Sequence, residues 1–367
     1  MAVSPVTSSV TATASLPDDL VRLAASRLLA DDLLDYVHFR AVCTCWRSAT
    51  VSPRGRGIVD PCFHPRRWMM LPEGDGLYPG HPKLHDNIRL VNLDTGAILR
   101  VRIPLLQDHC ILDSLDGLLL LQRDHDTTVV LLHPFTGDIL ELPPLSTLLP
   151  LMDEDLCNFS SKKQLSYLRS VCTAGSFVDG AVTVMLAFPN LHRVAFATPQ
   201  DQRWPMSTWM YGFSRPPISS RGKIYLADTF AYDRTSKIYQ IDTPLPHGGE
   251  LQPPKLMTTL TPDVLCSPLY FVQYDSEILV IGHTDDLYLS KLVVYKLSDL
   301  ITRRYIPVSS IGDKAILIQE RTLCISSKAL PGVMGDTIVY THPMEQYLVQ
   351  YHLGSGTWLS AIASVFL

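Results

Sequence analysis

Two stretches about forty residues apart are built alike, and that spacing narrows the possible folds more than any other feature of the chain. Residues 88–104 contain Asp94-Thr95-Gly96-Ala97-Ile98-Leu99, and residues 129–143 contain Phe135-Thr136-Gly137-Asp138-Ile139-Leu140. Each reads as a strand, a Thr-Gly turn and a second strand closing in proline. A looser copy ends the chain, where 347–353 leads through Gly354-Ser355-Gly356 to Trp358. Further hairpin pairs lie between: 182–188 with 193–197, 223–227 with 237–241, and 278–282 with 292–297.

A single small sheet of this kind cannot bury both faces, so the repeats must stack. The period predicts a β-propeller of about six blades over residues 66–367. A parallel sheet would need crossover helices between its strands, and few segments are long and periodic enough. Residues 156–170 are the main exception and read as a connection between blades. The longest apolar runs, such as 118–121 and 278–281, have strand length and are far too short to span a membrane.

The first fifty residues follow a different period. Residues 1–14 are rich in Ser, Thr, Ala and Val. Without a basic region or an apolar core they are expected to be a disordered tail, not a signal peptide. Ser15 followed by Asp18 suggests a capping box. Leu16, Leu20, Leu23, Ala24 and Leu28 then recur at helical spacing, Leu34, Val37 and Ala41 continue it after a second cap at Asp31 or Asp32, and Val42, Trp46 and Ala49 make a third set. Three short helices must pack on one another, and part of their apolar surface is expected to remain for a partner. The module is placed at 15–52 and a connector at 53–65.

Leu16-Pro17-Asp18-Asp19-Leu20, followed by Asp35-Tyr36-Val37-His38-Phe39-Arg40-Ala41-Val42-Cys43-Thr44-Cys45-Trp46-Arg47, resembles an F-box. The variant is similar to that of plant F-box proteins carrying an F-box-associated β-propeller. Val194-Ala195-Phe196-Ala197 before Trp204, Arg221-Gly222-Lys223-Ile224-Tyr225, and Ser326-Ser327-Lys328 before Gly335-Asp336-Thr337 look like parts of that propeller. The resemblance implies a small all-α F-box module followed by an all-β propeller. It also implies docking on a Skp-type adaptor, and through it on a cullin–RING ubiquitin ligase, with the propeller holding an unknown target protein. Leu16, Pro17, Leu20, Leu28, Val42, Cys43 and Trp46 match the apolar positions of the F-box and are the expected adaptor-binding residues.

Other chemistry finds less support. The formal net charge of −5 argues against nucleic acid as a main partner. Without a secretion signal, the 8 cysteines read as reduced thiols of the cytoplasm or nucleus. Cys43, Cys45, Cys62 and His64 match no common zinc spacing, and His81 and His85 sit among prolines. Neither pair of groups is expected to hold a metal, and no cofactor is expected. The acidic pairs Asp113 with Asp116, Asp124 with Asp126, and Asp285 with Asp286 are read as turn residues at strand ends. No nucleophile elbow, phosphate loop or His-Glu-x-x-His is present, so the chain is expected to have no catalysis of its own. Arg54, Arg56, Arg66 and Arg67 are expected to be solvated or to form salt bridges. The alternative functions are a propeller that binds or acts on a small ligand or glycan, or a scaffold outside any ligase.

Overall fold

The computed structural model describes residues 16–70, 87–152, 159–212, 216–230, 232, 234–245, 249–285, 291–318, 322–330, 332–341 and 348–362. The tail 1–14, Ser15, His81, His85 and Asp286 fall outside them. The chain divides into two compact units, Met1–Pro53 and Arg54–Leu367.

The first unit holds three helices, α1 (Asp18–Asp31), α2 (Leu33–Ala41) and α3 (Thr44–Ala49). Pro17 occupies the N-cap of α1 and gives no side-chain cap, so α1 begins at Asp18 and not directly after Ser15, the cap expected from the sequence. Asp18 and Asp19 sit in the first turn, beside the partial positive charge of the helix end. Asp32 caps α2 as expected, its carboxylate accepting the Leu34 N–H at 2.6 Å. The buried residues of α1 and α2 are Val21, Ala25, Leu33 and Tyr36. Leu20, Leu23 and Ala24, which share the helical spacing of α1, are exposed, and on α2 Leu33 is buried while Leu34 is half-buried.

The second unit consists of six sheets among the described residues. The first sheet is β1 (Trp68–Met70), β2 (Asn87–Asn92) and β3 (Ile98–Arg102). The second is β4 (His109–Leu115), β5 (Leu118–Arg123), β6 (Thr128–Leu132) and β7 (Ile139–Pro144). The third is β8 (Cys172–Val178), β9 (Ala181–Phe188) and β10 (Arg193–Ala197). The fourth is β11 (Ile218–Ser220), β12 (Lys223–Thr229), β13 (Ser236–Asp242) and β14 (Lys255–Leu260). The fifth is β15 (Cys266–Tyr274), β16 (Glu277–His283) and β17 (Leu292–Lys296). The sixth is β18 (Lys314–Ile318), β19 (Thr322–Ser326), β20 (Thr337–Thr341), β21 (Leu348–His352) and β22 (Thr357–Ile362). The three hairpins read between the repeats are β9–β10, β12–β13 and β16–β17.

Alternation along single strands joins these sheets into a ring. On β9, Val182, Val184, Leu186 and Phe188 pack with Leu118, Leu120 and Leu131 of the second sheet. Between them, Met185 and Ala187 pack with Ile224, Leu226 and Ile241 of the fourth. On β16, Ile278 and Val280 face Ile238 and Leu260 of the fourth sheet, while Leu279 and Ile281 face Ile316 and Ile338 of the sixth. The ring closes where Ala315 and Leu317 of β18 pack on Val91 of β2. Trp68 completes it, packing edge to face on Phe135 with ring centroids 5.7 Å apart between the first and second sheets. A strand buried on both faces carries apolar residues at every position, which accounts for the unbroken runs 118–121 and 278–281. The fold is therefore a β-propeller of six sheets.

The repeated turn recurs in detail. Oδ1 of Asn92 accepts the N–H groups of Asp94 and Thr95, each at 3.0 Å. Nδ1 of His133 accepts those of Phe135 and Thr136 at 3.2 and 3.1 Å. Nδ1 of His352 accepts that of Ser355 at 3.1 Å. The glycine of each turn, Gly96, Gly137 and Gly356, donates its N–H to the carbonyl of the same Asn or His. All three have φ between +66° and +74°, a region open to glycine at little cost.

One pairing departs from the expected hairpins. β18 and β20 run parallel, because β19 takes the other edge of β18 and leaves β20 heading the same way. Lys314, at the start of β18, binds Asp94 at 2.8 Å and Asp275 at 3.1 Å, tying the first, fifth and sixth sheets. Burial disfavours its charge, but the two carboxylates outweigh that and raise its pKa. The connection 156–170 contains a helix, Ser161–Arg169, whose Leu168 is fully buried between the second and third sheets.

Residues 54–65, read as a connector, are built into the second unit. Gly55 and Gly57 donate their N–H groups to the Asp138 carboxylate at 3.0 and 2.9 Å. Ile58 joins the core between the second and third sheets. His133 Nε2 donates to the Phe63 carbonyl at 2.9 Å. Arg66 and Arg67 pair with Asp116 at 4.0 Å and Asp94 at 3.1 Å, whereas Arg54 and Arg56 are exposed.

Candidate docking surface

Six of the seven expected adaptor-binding residues fall into two groups on the helical unit. Leu16, Pro17 and Leu20 lie at the start of α1, where the Pro17 carbonyl accepts the N–H of Leu20 at 3.0 Å. Val42, Cys43 and Trp46 form the corner between α2 and α3, where Cys43 Sγ accepts the Trp46 N–H at 3.4 Å and so caps α3. Leu28 lies in the last turn of α1 and is half-buried.

Exposure separates these residues by role. Leu16 is 48% exposed, Leu20 50% and Val42 63%. Pro17 and Cys43 are exposed too. Trp46 is half-buried and stacks on Phe39 with ring centroids 4.3 Å apart. Its carbonyl accepts the Thr50 hydroxyl at 2.7 Å, and that hydroxyl oxygen accepts from Arg40 Nε at 3.0 Å. Trp46 thus holds the corner together, while Leu16, Leu20 and Val42 stand in solvent. The Tyr36 hydroxyl donates to the Val51 carbonyl at 2.7 Å and secures the segment after α3.

Two more large apolar side chains share this exposure, Leu23 at 49% and Val51 at 52%. Leu23 was legible, since it lies three residues after Leu20 in the same helical row. Val51 follows the last helix and carries no periodic signal. Covering a half-exposed leucine is worth about 1 kcal/mol, so burying all five of these side chains would contribute about 5 kcal/mol, and micromolar affinity, about 8 kcal/mol, needs further contacts beside them.

The other sequence candidates have structural roles. Asp116 forms a two-residue turn with Gly117, and Asp179-Gly180 and Arg221-Gly222 form two more, with φ positive at both positions of each. Asp113 is not a turn residue as expected. It is buried within β4 and accepts the Thr173 N–H of the third sheet at 2.7 Å. Burial pushes the Asp126 carboxyl up, but the hydrogen bonds of Thr128 and Arg123 outweigh it and hold it at about 2. His64 is buried and binds the Ile58 carbonyl through Nε2 at 2.8 Å. Among the described residues, no three His, Cys, Asp or Glu side chains converge as metal ligands, and no helix is long and apolar enough to cross a membrane. Tyr225 and Tyr239 are half-buried strand residues, and Tyr295 is buried between the fourth and fifth sheets.

A family model described as KIB1-4 beta-propeller matches residues 90–357. No curated protein matches the chain. Three solved structures are similar in outline. The Cps50 (Swd1) beta-propeller domain of Myceliophteria thermophila is 10% identical, with a TM-score of 0.30 over 74% of this chain and 79% of its own. A nidogen/laminin complex is 11% identical, with a TM-score of 0.32 over 77% and 92%. The dihydro-heme d1 dehydrogenase NirN in complex with DHE is 14% identical, with a TM-score of 0.29 over 75% and 46%.

Proposed function

Because this chain belongs to the KIB1-4 beta-propeller family, we propose that it is the substrate-recognition subunit of a Skp–cullin–F-box ubiquitin ligase. The helical unit docks on the Skp-type adaptor, and the propeller holds the target protein. The chain performs no bond chemistry. It raises the local concentration of the target's lysines near the ubiquitin carried by the other subunits. It acts in the cytoplasm or nucleus.

The observation that carries this reading is that Leu16, Leu20 and Val42 are about half or more exposed on a unit whose own interior is Val21, Ala25, Leu33 and Tyr36. A unit of this size stabilised only by its own packing would turn its leucines inward. The F-box resemblance names the partner that would cover them. The test is a binding titration of the purified chain against a plant Skp-type adaptor, beside Leu16→Ala/Leu20→Ala/Val42→Ala. Wild-type binding lost in the triple variant supports the proposal. Equal binding by both, or none by a folded wild type, refutes it.

A further inference from the structure

After β17 the fifth sheet continues into a short helix, Leu297–Ile301, and then a segment exposed at every residue from Ile301 to Pro307. This exposure is not slack chain. Arg304 donates its N–H to the Asp299 carbonyl at 2.8 Å, and its guanidinium binds the Asp299 carboxylate at 3.0 Å and the Thr302 hydroxyl at 3.1 Å. The Val308 N–H bonds the Val294 carbonyl at 2.8 Å, and Pro307 bridges to Tyr295.

On this fixed frame Ile301 is 37% exposed, Tyr305 46% and Ile306 60%. Lys296 precedes them and Arg303 lies between Ile301 and Tyr305; both are exposed, and neither has a carboxylate partner among the described residues. Arg303 ends the helix with φ +56°, its N–H bonded to the Leu300 carbonyl at 3.1 Å. That position favours glycine, and a larger residue there costs about 1 kcal/mol. Glycine would take this conformation at less cost, and Arg303 holds it with its side chain exposed.

We propose that the segment Ile301–Pro307, with Lys296, is a docking surface for an acidic, apolar segment of a partner protein. Carboxylates of that segment meet Arg303 and Lys296, and its aliphatic or aromatic side chains cover Ile301, Tyr305 and Ile306. The choice of occupant follows from charge: on a chain of net charge −5 this patch carries unpaired cations beside uncovered apolar groups. The inference rests on the reading that the propeller holds a target, and it names the chemistry of what is held.

The probe is a fluorescein-labelled peptide alternating Glu with Leu and Phe, compared by anisotropy with its Lys counterpart, using the full chain. The Glu peptide is expected to bind at least about tenfold more tightly, with a preference that shrinks at high salt. Lys296→Glu/Arg303→Glu is expected to weaken it about tenfold, and Ile306→Ser by a similar factor. Arg303→Gly is the discriminating variant: binding drops about threefold while the melting temperature stays level or rises. Equal binding of both peptides, no binding of either, equal capture by phosphatidylserine vesicles, or variants that bind like wild type would each overturn the proposal. These variants leave Leu16, Leu20 and Val42 intact, so adaptor binding is read separately. Peptide binding without adaptor binding would keep this surface and discard the ligase reading.

Discussion

The two units use apolar residues in opposite ways. In the propeller, strands such as β9 and β16 have a neighbouring sheet on each face, and Leu118, Leu119, Leu120 and Leu121 of β5 are all buried. In the helical unit the small residues Val21 and Ala25 go inside, while Leu16, Leu20 and Leu23 stay half exposed. The first pattern is that of a unit completed by itself. The second leaves large apolar side chains in solvent. Substitutions in the propeller core should therefore cost stability, and substitutions of the exposed side chains of the helical unit should cost binding.

The largest effect is expected at Trp204, which is fully buried and donates its indole N–H to the Pro143 carbonyl at 2.7 Å. Trp204→Ala should cost about 3–5 kcal/mol in urea unfolding. A cost below about 1 kcal/mol would mean that the second and third sheets do not share one core. Glycines sharpen the same point. A Cβ on Gly117 would lie 2.1 Å from the Pro65 carbonyl oxygen, at φ +83°. Gly117→Ala should cost several kcal/mol, about 3 or more, because backbone must move. Gly137, at φ +74° with nothing within 4 Å, should lose only about 1 kcal/mol as alanine. Comparable melting temperatures for the two variants would show that residues 54–65 do not hold against the propeller.

The contrast between units also decides what was legible in the sequence. Ring closure from a Thr-Gly turn repeated about every forty residues could be read directly, because each turn demands the same residues: Asn or His to accept the backbone N–H groups, glycine to take positive φ. The strands could be read because both faces are buried, so a slip by one residue would have left them apolar on both sides. The helices could be read, but which of their apolar residues turn inward could not. A short helix with leucines on more than one side does not say which row meets its neighbours, and here the smaller side chains won. The connector was misread for a different reason. Gly55, Gly57 and Phe63 are held through backbone groups, by Asp138 and His133 about eighty and seventy residues away, and no local pattern announces such bonds.

A smaller effect tests that anchoring through pH. His133 accepts two backbone N–H groups at Nδ1 and donates from Nε2, so the neutral ring fits and the cation does not. Burial lowers its pKa below 6.5. Below about pH 6.5 the unfolded chain takes up a proton that the folded chain refuses, so stability falls as the pH drops, by at most about 1.4 kcal/mol per unit. The contribution is fully present above that range. Asn92 fills the same place in the first turn, so His133→Asn should keep the turn, lose about 1 kcal/mol with the Phe63 bond, and flatten the acid slope. An unchanged slope would assign the acid sensitivity to other groups.

The smallest expected change in stability belongs to the helical unit and is the most informative. Leu20→Ala and Val42→Ala remove side chains that are 50% and 63% exposed, so each should shift unfolding by no more than about 0.5 kcal/mol. Each should nonetheless weaken adaptor binding about tenfold, since the same atoms become buried only in the complex. Trp46→Ala cannot serve the same purpose, because it also removes the stack on Phe39 and would lose both properties together. If Leu20→Ala instead destabilised the free chain by 2 kcal/mol or more, as a core leucine does, the exposed side chains would be interior to the protein in solution. The difference between the two units would then be one of size and not of purpose.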